Sequence, residues 1–505
     1  MSALFRVSPR DARQSRHIRV AFAIALGPAL VLSACSFATP YQRPETPVVT
    51  SYDGAERLPT SDTVPVRTQW WRDYRDSTLD ALVDASLAHN NTLASAIASV
   101  EAARGTAEKA GAAQYPALQL GGAFDRAHQG GRGGGTTRMQ SVFLEASYEV
   151  DFWGRNAATA DSAAWLARAS EFDRDTVALT LTASVVDTYF QVQALHRRLS
   201  LANTIAADAD RILRLLLAQR DAGVATDLQV EQQRNALATF QAAIPTLQEQ
   251  LDTALHALAV LAGQAPEHFD VTQTPLAQIP IPLAQTGLPA KLLQRRPDIR
   301  AKEAQLRSAN FDVAAARAAF LPDITLTADG GLSSKNAARF LSSPFASLLA
   351  SLTAPIFDGG ALRGQLHASQ GAAARSVADY RQTVLAALQD VEDSLTSAHQ
   401  QQLVESADQT AADSAAKAAA LAQAQYATGT VDFLTVLDAQ RTRYQAEDTV
   451  VQARLARLQA SVSLFRALGG GFDATSGSAS DPADAGDAPL SASAVSHASP
   501  SQPFL

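Results

Sequence analysis

Cysteine is almost missing from this sequence. The 505 residues contain one, Cys35, so no internal disulfide, cysteine-based zinc site or iron–sulfur cluster can form. Aromatic residues are scarce at 6%, and with alanine abundant throughout, that composition fits long, closely packed helices and not a sandwich or propeller. Positive charge is not in excess. Lys plus Arg number 42 against 50 for Asp plus Glu, a formal net charge of −8, which argues against a nucleic-acid partner. No HExxH and no Gly-x-Ser-x-Gly occurs, and the nine histidines are scattered, so neither an enzyme nor a metal or cofactor site is expected. The glycine-rich HQGGRGGGTTR lacks the Gly-Lys-Ser/Thr ending of a phosphate loop and leads into an alternating segment, which makes it a hairpin tip. What the chain does have is a 47% hydrophobic share, enough to bury a large core.

Residues 1–34 read as a leader. Five arginines (Arg6, Arg10, Arg13, Arg16 and Arg19) precede the thirteen-residue run Val20 to Leu32, too short to span a bilayer and suited to a signal-peptide core. Leu32-Ser33-Ala34-Cys35 then resembles the bacterial lipobox. The resemblance implies cleavage before Cys35, a covalent lipid on its sulfur and, with Ser36 in place of an aspartate, retention at the outer membrane. Several acyl chains, each buried CH2 contributing about 0.8 kcal/mol, make a durable anchor. Residues 35–68 are proline-rich and polar and read as an extended tether, and 473–505 as a disordered tail.

The body between them is an internal repeat. At an offset of 206 residues Pro116 falls on Pro322, Gly223 on Gly429, Leu228 on Leu434, Val230 on Val436 and Gly263 on Gly469. Repeat 1 is placed at 69–285 and repeat 2 at 286–472. Each opens with a helical stretch, Leu79 to Gln114 and about Asp298 to Ala319, closed by its proline. Two segments of period-two alternation follow, about 117–127 and 140–151 in the first copy and 322–332 and 345–357 in the second, as in transmembrane barrel strands. A helical stretch of about 64 residues, long enough for about 95 Å, ends in a glycine turn at Gly223 or Gly429. The returning helices carry apolar positions in a 4-3-4-3 cadence, Leu247, Leu251, Ala254, Leu258 and Leu261 or Val451, Leu455, Leu458, Val462 and Phe465, which is coiled-coil packing. Pro245 is expected to kink the first of them.

A barrel in hydrocarbon must close, and four strands cannot. Three copies giving twelve strands form the simplest arrangement with an open lumen. The expected fold class is thus mainly α with a transmembrane β-barrel: a long α-helical coiled-coil barrel plus a 12-stranded β-barrel completed by a homotrimer. A small soluble sheet on a helical bundle is the structural alternative, and a lipid-anchored periplasmic coiled-coil adaptor or scaffold without a pore the functional one.

Five strings sharpen the choice: QWWRDYRDSTLDALVDASLAHN (Gln69 to Asn90), YEVDFWGR (Tyr148 to Arg155), LLQRRPDIRAKEAQLRSAN (Leu292 to Asn310), APIFDGGALR (Ala354 to Arg363) and YATGTVDFLTVLDAQR (Tyr426 to Arg441). With the lipobox they make the chain similar to the TolC-like outer-membrane channels of tripartite efflux systems, and more closely to the NodT-type lipoproteins. That resemblance implies a homotrimer in outer-membrane lipid, a periplasmic membrane-fusion adaptor and an inner-membrane pump of the resistance-nodulation-division type. It also implies an iris at the periplasmic helix tips, with Tyr426 as tip tyrosine, Leu434 in an apolar ring and Asp438 in an acidic ring. Val431 and Thr435 stand where some members have an arginine and a second aspartate, so Asp432, Arg441 or Arg220 are the substitutes to consider, and Asp227 is the counterpart in the first turn. No cofactor is implied beyond the lipid on Cys35.

Overall fold

The computed structural model describes residues 41–471 apart from 47–49, 58–62, 132–133, 288 and 336. The expected leader, Cys35, Phe472 and the tail lie outside the described residues.

Asp76 starts the first helix, α1 (Ser77–His89), by accepting hydrogen bonds from the Thr78 and Leu79 amides at 2.9 and 3.3 Å. Periodicity suggested one helix from Leu79 to Gln114, yet the chain breaks at Asn90. Its side chain caps α2 (Asn91–Gly111) through the Thr92 and Leu93 amides, while its Nδ2 donates to the Leu261 carbonyl at 3.0 Å. An asparagine that satisfies both the next helix and a distant carbonyl outweighs continuation of the helix.

Strands β2 (Ala117–His128), β3 (Thr136–Val150), β5 (Asp323–Ser334) and β6 (Pro344–Thr353) form one antiparallel sheet in the order β2-β3-β5-β6. Its register sorts the side chains by face. Leu118, Ala146, Ala328 and Leu348 lie in one cross-strand row, and Gln119, Glu145, Asp329 and Ser347 in the row beside it on the opposite face. On that polar face the Phe143 ring covers Gly121, where a Cβ would lie 2.6 Å from the ring tip, so any larger residue would have to push the ring aside.

Two helices of 67 residues leave the sheet, α3 (Arg155–Asp221) and α7 (Ala361–Ala427), each about 100 Å long. Both follow a left-handed glycine, Gly154 (φ 73°) and Gly360 (φ 95°), again 206 residues apart. Near the sheet, α3 packs on α2 and on α6 (Pro297–Ala318), and α7 packs on α6. Farther away they are joined by the returning helices α4 (Asp227–Leu261) and α8 (Phe433–Ala467), and α3 also runs along α8. Pro245 lies inside α4, which remains one helix through it.

The main core sits at the waist. A 3-10 turn at Trp70–Tyr74 inserts Trp70, Trp71 and Tyr74 between α3 and α8, with Trp70 stacked on Phe465 at 5.1 Å and Tyr74 edge-on to Phe190 at 5.0 Å. The described part of 35–68 is docked on the body of the molecule. The Arg43 guanidinium grips Glu303 of α6 at 2.8 Å, the Tyr41 hydroxyl donates to the same carboxylate at 3.3 Å, Tyr52 is buried, and Glu392 accepts from the Asp53 and Gly54 amides. Strand β1 (Thr63–Val64) then pairs in parallel with β4 (Leu283–Ala284) in the inter-repeat segment, just before the short helix α5 (Pro289–Arg295).

Candidate functional site

Two regions of the molecule are built for something other than packing, the sheet and the far ends of the helical hairpins. In the sheet, β2 and β6 each have one edge with no strand beside it among the described residues. Leu118, Leu120, Phe124, Val142, Leu144, Leu348 and Leu352 all lie exposed on one face. Their outward positions on β3, Val142 to Val150, span about 27 Å at roughly 3.4 Å per residue, reduced by strand tilt to little less than a membrane's apolar band. No helix among the described residues is long and apolar enough to cross a membrane. An apolar surface of this extent, bounded by unpaired edges, requires lipid on its face and strands at its edges.

At the opposite end, the turns 222–226 and 428–432 close the two hairpins. Gly223 and Gly429 share φ 75°, a left-handed conformation that ends a helix and suits glycine. Thr226 and Asp432 occupy the same place in the repeat and both cap the returning helix. Thr226 accepts from the Gln229 amide in a capping box, and Asp432 accepts from the amide and hydroxyl of Thr435. The Thr435 hydroxyl and amide hold the Asp432 carboxyl below its ordinary range. The repeat alternates burial identically in its two copies: Val230 and Val436 are buried, whereas Leu228 and Leu434 are exposed on the outer side of the first turn.

The residues expected at the gate are brought together in part. Asp432, Leu434, Asp438 and Arg441 line one open groove along α8, floored by Ala415 and Ala418 of α7. Tyr426 is not in that groove. It is half-buried and packs edge-on against Phe433 at 5.7 Å, tying α7 to α8 within one hairpin. Asp227 is exposed on the other hairpin, beside an Arg220 that pairs with its neighbour Asp221 at 2.7 Å. Asp432 is committed to its cap and Arg220 to Asp221, which leaves Asp438 and Arg441 as the exposed charged pair of the groove.

The side chains that fasten the long helices to one another, within the second hairpin and between the two, escaped sequence reasoning. Arg198 of α3 forms a two-bond pair with Asp448 of α8 at 2.7 and 3.1 Å. Glu405 of α7 bridges Arg454 (3.2 Å) and Arg457 (2.7 Å) of α8. Phe240 of α4 meets Tyr444 of α8 edge-on at 5.6 Å. The i, i+3 spacing of Arg454 and Arg457 puts them on one helical face, the only signal available, but their partner lies about fifty residues away in sequence.

Comparison with known proteins completes the description. Residues 82–264 and 288–470 each match the family described as outer membrane efflux protein, two copies at the 206-residue offset of the repeat. The pyoverdine export outer membrane protein OpmQ of Pseudomonas aeruginosa is 38% identical, over 82% of this chain and 89% of its own length. The outer membrane protein OprJ of the same species is 33% identical, over 88% of this chain and 95% of its own. Among solved structures, the outer-membrane channel OprN superposes with a TM-score of 0.81 at 28% identity, covering 87% of this chain and all of that one.

Proposed function

The chain belongs to the outer membrane efflux protein family, and on that basis we propose that it is the exit duct of a tripartite efflux pump. It is an outer-membrane efflux channel. Three copies close a twelve-stranded barrel, each contributing the sheet β2-β3-β5-β6, and the pairs α3/α4 and α7/α8 assemble side by side into a tunnel that crosses the periplasm. The observation that carries this reading is the four-stranded sheet itself: an apolar face with two unpaired edges, set at the end of helices about 100 Å long.

Transport through such a duct is passive, and the driving force comes from an inner-membrane pump of the resistance-nodulation-division type through a periplasmic adaptor. The adaptor meets the hairpin tips, where Val224 and Leu228 stand exposed beside the turn of Gly223. The groove of Leu434, Asp438 and Arg441 faces the axis, so that three-fold symmetry makes rings of each. A lipid on Cys35 fastens each copy to the outer membrane. Purified protein placed in a planar lipid bilayer is expected to conduct ions and to cross-link as a trimer. A water-soluble monomer without conductance would overturn the proposal.

A further inference from the structure

The ends of the two strand hairpins farthest from the helices carry charge of one sign. Residues 126–143 and 330–346 contain no aspartate or glutamate, whereas Arg126, His128, Arg138, Lys335 and Arg339 all lie in them. Arg126 and Arg138 are directly opposed across the β2–β3 pair, in the row that contains Phe124 opposite Gln140 and Leu120 opposite Leu144 farther along. Both therefore project from the apolar face and not from the face of Glu145 and Asp329. They begin where the apolar positions stop, two residues past Phe124 on β2 and four past Val142 on β3.

Two like charges directly opposite each other in a sheet repel. Among the described residues neither arginine has a carboxylate partner, and both are exposed. Assembly does not supply one: a second copy brings the β5–β6 hairpin beside β2, and that hairpin end is equally free of acids. The uncompensated pair sits at the height at which lipid headgroups meet the barrel, on the side away from the periplasm. Guanidinium groups in that position match phosphate, which they hold through paired, charge-assisted hydrogen bonds.

We propose that Arg126 and Arg138 form a binding site for the phosphate groups of the anionic glycolipid, lipid A, in the outer leaflet, with Lys335 and Arg339 extending the basic rim. The site rests on the barrel reading above, since it requires the apolar face to contact lipid. Its occupant is the phosphorylated glycolipid and not a phospholipid, because the basic rim is at the end opposite the helices, in the leaflet that glycolipid fills.

The test uses the full chain, purified as its assembly in detergent, with three probes: lipid A carrying both phosphates, the same lipid dephosphorylated, and phosphatidylglycerol. The unaltered protein is expected to bind the phosphorylated lipid about tenfold or more tightly than either other probe, and the paired substitution Arg126→Gln with Arg138→Gln to remove that preference. Both proteins should conduct equally in a bilayer, which shows that the variant folds and inserts. Equal binding of phosphorylated and dephosphorylated lipid A, equal binding of phosphatidylglycerol, or an unchanged preference in the variant would each overturn the site while leaving the channel intact. An unaltered protein that fails to conduct would instead remove the barrel reading beneath it.

Discussion

In the proposed trimer Asp438, one carboxylate per chain, would stand three times around the axis, so a single substitution there would have a magnified effect. Three such groups facing one another in a narrow lumen repel and attract cations. Asp438→Ala is expected to widen the tip and raise single-channel conductance in a lipid bilayer, and unchanged conductance would remove Asp438 from the gate. A different carboxylate governs stability at the waist. Asp187 of α3 has a buried Oδ1 with no hydrogen-bond partner, and burial pushes its carboxyl up to about 7, against the pull of the Arg466 charge. A carboxyl raised on folding binds its proton more tightly in the folded than in the unfolded chain, so stability falls as pH climbs from about 4 to about 7. Asp187→Asn should flatten that decline: the variant's thermal unfolding midpoint should gain on that of the unaltered protein as pH rises from about 4 to about 7, and the gap should stay constant above that.

Elements are set by their ends. Gly263 follows α4 in a left-handed conformation (φ 71°), and a Cβ there would stand 2.4 Å from the His89 carbonyl oxygen. Gly263→Ala is therefore expected to cost more than about 1 kcal/mol, read as a lowered unfolding midpoint, from both backbone strain and the collision. Replacing the helix cap Thr226 by alanine should cost about 1 kcal/mol and fray the tip of the first hairpin first, visible as faster amide exchange over the first turn of α4. The strands were legible in the sequence because each has one apolar and one polar face, and period two survives in the residues themselves. The long helices were legible because nothing interrupts them. The break at Asn90 was hidden, since apolar spacing continues through it and only the Leu261 carbonyl, distant in sequence, reveals the reason. The docking of 41–57 was hidden as well. Its anchors, the Tyr41 and Arg43 side chains and the Asp53 and Gly54 amides, form no pattern in a proline-rich stretch, and their partners Glu303 and Glu392 lie hundreds of positions away. At the tip, the motif from Tyr426 to Arg441 located the groove, but the Arg198–Asp448 and Glu405 pairs belong to no local pattern.

For the whole molecule, duplication explains the economy of the design: one unit of sheet, long helix, glycine turn and returning helix is used twice, and the two copies share left-handed glycines at matching positions. The copies differ in their caps, Thr226 in the first and Asp432 in the second, so the same place in the repeat is neutral at one tip and charged at the other. Deleting the chain after Phe472 is expected to leave assembly intact, with cross-linking as the measure, because the sequence beyond it has almost no large apolar residues with which to pack. Loss of trimers on that truncation would count against the boundary.

The grip of Glu303 on Tyr41 and Arg43 also fixes a depth. Only five residues separate Cys35 from Tyr41, so six steps of the chain make a leash of about 20 Å even when fully stretched. If Cys35 carries the proposed lipid, its sulfur would enter the inner leaflet within that radius of the Tyr41 backbone. The three leashes of an assembly would act as moorings of equal length, setting how far the cylinder rides above the lipid surface and keeping its axis upright.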